Sequence, residues 1–90
     1  MPYEELSESK VRPVLVRDEV NLEVIVFKMT KHPPRRDFPN EYAVIDWRGA
    51  GLRVPMTIRG GRHLRLPKSE FIRKIGTLQA IDILNVREFM

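Results

Sequence analysis

The sequence predicts a mainly β protein with a C-terminal helix, its strands forming a small, curled antiparallel sheet or barrel. Two observations point there: short Val- and Ile-rich runs separated by turn residues, and an apolar pattern of helical spacing that begins only after Thr77. Length sets the scale. Ninety residues make one domain, 1–90, with a single small core that is marginal in stability without a partner chain.

Val11 to Arg17 and Leu22 to Thr30 read as strands because β-branched residues dominate both, and the intervening Asp18-Glu19-Val20-Asn21 reads as a hairpin turn. Lys31 to Asn40 carries Pro33, Pro34 and Pro39 beside Lys31, Arg35 and Arg36. Proline lacks the backbone donor that a helix or central strand needs, so this stretch is expected as an exposed cationic loop. Glu41 to Asp46 follows as a short strand. Trp47 to Leu52 is a turn in which Trp47 packs on the core and Asp46 accepts backbone hydrogen bonds. Val54 to Arg59 is a strand that Pro55 marks as an edge or bulge, and Gly60-Gly61 is a turn. Arg62 to Leu66 alternates basic and bulky residues, as a half-buried strand with a basic outer face does. Pro67 to Phe71 is one helical turn and Ile72 to Ile75 a short strand. Thr77 then caps a helix with Leu78, Ile81 and Leu84 or Asn85 at helical spacing.

Sixteen Lys and Arg against twelve Asp and Glu give a net charge of +4, which permits a polyanionic partner. From Arg48 to Lys74 the only acid is Glu70 among eight basic residues, so a one-sided basic surface is expected. With no cysteine there is no disulfide framework and no thiolate metal site, and no Cys/His/Asp/Glu cluster has metal spacing. No cofactor is implied. The sequence shows neither a membrane-spanning run nor a signal-peptide pattern, and a cytoplasmic protein is expected.

Arg12 opens the first apolar strand and Thr30 closes the second; an antiparallel hairpin brings them together at one edge of the sheet. The motifs around them resemble a known family. In order they are Lys10-Val11-Arg12-Pro13-Val14-Leu15-Val16, Ile25-Val26-Phe27-Lys28-Met29-Thr30, Asp46-Trp47-Arg48-Gly49-Ala50-Gly51-Leu52, Pro55-Met56-Thr57-Ile58-Arg59, and Ile72-Arg73-Lys74-Ile75-Gly76-Thr77-Leu78 with Asp82. Together they resemble the MazF/PemK-like toxins, within them the PemK-like branch. The resemblance implies an SH3-like barrel that dimerises, metal-independent cleavage of single-stranded RNA, and a cognate antitoxin whose acidic segment occupies the RNA groove. It also puts Arg12 and Thr30 on the family's active-site arginine and threonine. Members usually begin with a strand carrying a Gly-Asp motif, whereas this sequence opens in what corresponds to the following loop. The implied barrel is therefore incomplete at its N-terminus, with an edge left unpaired.

Metal-free cleavage uses the neighbouring 2'-hydroxyl as nucleophile and needs a proton acceptor, a charge partner for the phosphoryl oxygens and help for the departing 5'-oxygen. The planar fork of Arg12 suits the second role. Thr30 can orient a hydroxyl or phosphoryl oxygen but is no base, which leaves His32, His63 and Glu8 as candidate acceptors. Lys31, His32, Arg35 and Arg36 on the Pro-rich loop, with Arg59, Arg62, His63 and Arg65 around the glycine pair, are the candidate RNA contacts. The alternative is a shortened, inactive barrel that binds RNA or a partner protein through the same basic face; a purely structural dimerising domain is the third reading.

Overall fold

In the computed structural model, residues 5–9 and 12–89 are described, without the side chains of Arg62 and Phe89. Six antiparallel strands form one sheet: β1 (Glu5–Ser9), β2 (Pro13–Val20), β3 (Glu23–Thr30), β4 (Glu41–Ala43), β5 (Thr57–Pro67) and β6 (Phe71–Thr77). Their order across the sheet is β4-β5-β3-β2-β1-β6, and one helix, α1 (Ala80–Phe89), ends the chain. A single 3-10 turn, Lys68–Glu70, follows Pro67 where a helical turn is predicted.

The central hairpin of β2 and β3 is longer than the sequence suggests. Asp18, Glu19 and Val20 pair with Ile25, Val24 and Glu23, so the turn is the two residues Asn21 and Leu22, with Asn21 at φ 57. Asparagine tolerates the left-handed region better than other side chains, which places the turn there and not at 18–21. Val11, expected to open β2, lies outside the described residues.

Two expectations about strand ends are corrected. Glu5 to Ser9 is a strand and not a loop: Leu6 pairs with Leu15 of β2 on one side and with Gly76 of β6 on the other. The edge expected to stand open is therefore filled. Gly60-Gly61 is a bulge and not a turn, since β5 runs straight through it, with Arg59 opposite Lys28 and His63 opposite Phe27 on the same neighbouring strand. Glycine inside a strand marks such a kink. Here the Gly60 N–H turns to the Asn40 carbonyl at 2.6 Å. Near Pro55 the strand begins only at Thr57, and the expected strand from Glu41 stops at Ala43.

Side chains alternate between the two sheet faces. Leu6, Leu15, Phe27, Met29 and Ile58 point inward and meet Leu78 and Val86 in the main core, with Trp47 packed against it. Val14, Val16, Val24 and Val26 form a second cluster on the opposite face, covered by Leu64, Leu66 and Phe71. The turn after β4 closes the barrel on β6. Any Cβ on Gly76 would collide with the Ala50 carbonyl oxygen, Gly51 takes φ +95 against Ile75, and Gln79 Nε2 donates to the Gly49 carbonyl at 3.0 Å. Asp46 holds this turn as expected, accepting from the Gly49 N–H at 3.0 Å.

Thr77 belongs to β6, so the helix starts later than predicted and its buried face is rotated. Asp82 and Val86 are fully buried, while Ile81 and Leu84 are 50% and 63% exposed. The buried Asp82 carboxylate ties helix to sheet: it accepts from the Tyr42 hydroxyl at 2.5 Å, the Ile45 N–H at 2.8 Å and the Asp46 N–H at 2.9 Å. Asn85 Nδ2 also donates to the Tyr42 oxygen at 3.1 Å. Burial first, and the Asp82 bond second, push the Tyr42 phenol up to about 12.

Candidate nucleic-acid interface

The β2–β3 register sets Val14 opposite Lys28, and Arg12 precedes β2 at the same end of the sheet as Thr30, the last residue of β3. On β5 the same register sets Arg59 opposite Lys28 and Thr57 opposite Thr30, and β4 continues the row by pairing Glu41 with Arg59. Alternation puts Thr30, Thr57, Lys28, Arg59 and Glu41 on the face away from the main core. Two adjacent rows result: Thr30 and Thr57 at the sheet end, then Lys28, Arg59 and Glu41 behind them. Thr30 is buried, and its hydroxyl oxygen accepts from the His32 N–H at 3.3 Å, which leaves the hydroxyl proton to donate.

Arg12 opens onto a cavity of about 640 Å³ at the end of the barrel. Among the described residues, Arg12, Lys31, Arg53 and Arg73 are its cations and Glu8 its acid, with Leu52, Met56 and Ile75 supplying an apolar floor. Glu8 Oε2 accepts from Arg73 Nε at 2.9 Å. Ser9 fixes the Arg12 backbone, its hydroxyl donating to the Arg12 carbonyl at 2.8 Å. Such a concentration of cations gives the open cavity a positive potential.

A second groove of about 400 Å³ lies behind the first row, lined by Lys28, Arg35, Phe38, Asn40, Glu41, Arg59 and Leu64. Glu41 is its centre. Its side chain is only 4% exposed and accepts from the Arg35 backbone N–H at 2.8 Å and from Arg35 Nη2 at 2.6 Å. These bonds from Arg35 hold the Glu41 carboxyl below the usual range, and the same pair raises the Arg35 guanidinium. The Arg35 guanidinium also lies 3.5 Å above the centre of the Phe38 ring.

The candidate RNA residues are thus distributed. Lys31 shares the Arg12 cavity, whereas Arg35 and Arg59 share the Glu41 groove. Arg36 and His32 are exposed on the loop, and the Arg62 side chain lies outside the described residues. His63 is exposed with its ring edge-on to Phe27, centroids 6.4 Å apart, and Arg65 reaches Glu23 at 3.5 Å. Sequence reasoning missed Lys28, Arg53, Arg73 and Glu41. The strand register alone would have placed Lys28 two residues from Thr30 on the same face.

No protein-family model and no curated protein matches the sequence. Solved structures do. A crystal structure of a Mycobacterium tuberculosis toxin superposes with a TM-score of 0.76 at 22% identity, covering 93% of each chain. The Mycobacterium tuberculosis toxin MazF-mt6 follows at 0.75 and 22% identity, over 94% of this chain and 90% of that one. An endoribonuclease from a mycobacterial species reaches 0.73 at 14% identity, over 99% and 86%. A strand order with a filled N-terminal strand, a barrel closed by a glycine turn and near-complete coverage of these neighbours establish that the chain has the MazF-like fold.

Proposed function

We propose that this chain is a toxin-type endoribonuclease that cleaves single-stranded RNA without a metal ion. The observation that carries the reading is a cavity at the end of the barrel in which Arg12 is one of four cations set against a single carboxylate among the described residues. The 2'-hydroxyl attacks the adjacent phosphorus, the P–O5' bond breaks, and a 2',3'-cyclic phosphate and a 5'-hydroxyl are left. Arg12 meets the charge that grows on the phosphoryl oxygens, and Thr30 donates to one of them. Glu8 lines the same cavity and Arg73 fixes its carboxylate, so it is the better placed of the three candidate bases to take the 2' proton. The inactive-barrel alternative drew on an unpaired edge, and β1 pairs on both sides.

The same cationic cavity suits the acidic segment of an antitoxin, which would compete with RNA for it. Ile81 and Leu84 lie one helical turn apart and exposed on α1, an apolar pair suited to a homodimer contact. Among the described residues no helix is long and apolar enough to cross a membrane. The decisive assay incubates single-stranded RNA of varied sequence with the protein in EDTA and identifies the new ends. Cyclic phosphate and 5'-hydroxyl ends are expected, and Arg12→Ala should slow cleavage by about a hundredfold or more. A folded wild type inert on all substrates refutes the enzyme; an undiminished Arg12→Ala refutes the role of that residue.

A further inference from the structure

We infer that the Glu41 groove is a second phosphate subsite for single-stranded RNA, separate from the Arg12 cavity; this rests on the RNA reading above. Three cations, Lys28, Arg35 and Arg59, line the groove against one acid, Glu41. Glu41 is committed mainly to Arg35, which donates to it from both backbone and side chain. Arg59 is not matched in the same way: its Nε is buried 3.5 Å from Glu41 Oε2 and makes no hydrogen bond. The Arg59 side chain as a whole is still 31% exposed, and a phosphoryl oxygen meeting it there adds a charge-assisted acceptor to a guanidinium that is incompletely matched. Lys28 stands opposite Arg59 in the ladder, is exposed, and has no ion-pair partner among the described residues. Arg59 and Lys28 therefore supply two donors on one side of the groove for a single anion.

The other wall suits the base attached to that phosphate. Phe38 covers one face of the Arg35 guanidinium, and the Arg35 side chain is still 43% exposed. A guanidinium plane backed by an aromatic ring is a stacking platform for an unpaired base, and Asn40 beside it offers an amide that can both donate and accept. Single-stranded RNA is favoured over an acidic protein because the groove pairs phosphate-type donors with a planar platform, which a carboxylate side chain has no use for. Within the ladder, the Lys28–Arg59 row is the next same-face row after Thr30–Thr57, about 7 Å along the strands.

The experiment titrates a short RNA made uncleavable by 2'-O-methyl groups against the wild type, Lys28→Ala, Arg59→Gln and Arg12→Ala, at several salt concentrations. Lys28→Ala and Arg59→Gln should each weaken binding about tenfold and make the logarithmic salt slope shallower by about one unit. Lys28 is a surface residue, so its variant keeps the test open should Arg59→Gln fail to fold. Mononucleotide added as competitor should displace RNA only at far higher concentration. Unchanged affinity and slope in Lys28→Ala and in folded Arg59→Gln overturn the subsite even if the wild type cleaves RNA through Arg12. Weakened binding in these variants, with cleavage indifferent to Arg12→Ala, keeps the subsite and overturns the catalytic assignment instead. Tight mononucleotide binding without RNA binding overturns the subsite as an RNA site.

Discussion

Replacing Asp82 with alanine should cost this small protein a large part of its stability. The fully buried carboxylate accepts three hydrogen bonds, from the Tyr42 hydroxyl and from the Ile45 and Asp46 N–H groups. Truncation leaves those donors facing an apolar gap, and each buried unsatisfied donor costs about 1–3 kcal/mol. The Tyr42 hydroxyl still has Asn85 beside it and loses less than the two backbone donors, which have no side-chain freedom to turn elsewhere. A total of about 3–5 kcal/mol follows, and at about 4–8 °C per kcal/mol in a chain of this size the melting temperature should fall by roughly 12–40 °C. Asp82→Asn retains one acceptor oxygen but aims an amide donor at other donors, so a loss of about 1–3 kcal/mol is expected. Urea titration of wild type and both variants, followed by circular dichroism with the slope held common, measures the differences. An alanine variant within about 1 kcal/mol of wild type would refute the idea that this carboxylate pins the helix to the turn that closes the barrel.

Two further perturbations test other parts of the structure. The Tyr42 phenol is raised from 10.0 to about 12 in the fold, so its contribution to stability is complete below pH 10 and is lost as pH rises through 12; Tyr42→Phe should flatten that alkaline limb in pH-dependent denaturation, and an unchanged limb would contradict the burial of the phenol. For the proposed dimer, Ile81→Asp puts a charge on the exposed helix pair and should shift sedimentation from dimer to monomer at micromolar concentration, whereas a wild type that sediments as a dilution-resistant monomer rules the dimer out.

The parts of the fold that were legible in the sequence are those decided by neighbours along the chain. The runs around Val14 to Val16 and Val24 to Phe27 are strands because β-branched residues suit a pleated surface, and once they form a hairpin Arg12 and Thr30 fall at the same end of the sheet. The misread parts are decided by partners far away in sequence. Glu-Leu-Ser-Glu-Ser has little strand propensity, yet it is a strand because β2 and β6 offer ladders on both sides. Gly60-Gly61 has the composition of a hairpin turn, and only the continuous presence of β3 opposite makes it a bulge. The phase of α1 was lost because β6 extends through Thr77, which rotates the helix and buries Asp82 and Val86 in place of Ile81 and Leu84. The candidate site divides along the same line. Composition shows many cations after Arg48, but not which of them stand together. Arg35 and Arg59 come from a loop and a strand that β4 joins through Glu41, while Lys28 enters from the opposite strand. What would turn a scattered excess of positive charge into the two proposed anion sites is therefore the pairing of β3 with β5 and of β5 with β4: a one-residue slip in either ladder would turn Lys28 or Arg59 into the main core and abolish the second site while leaving the net charge unchanged.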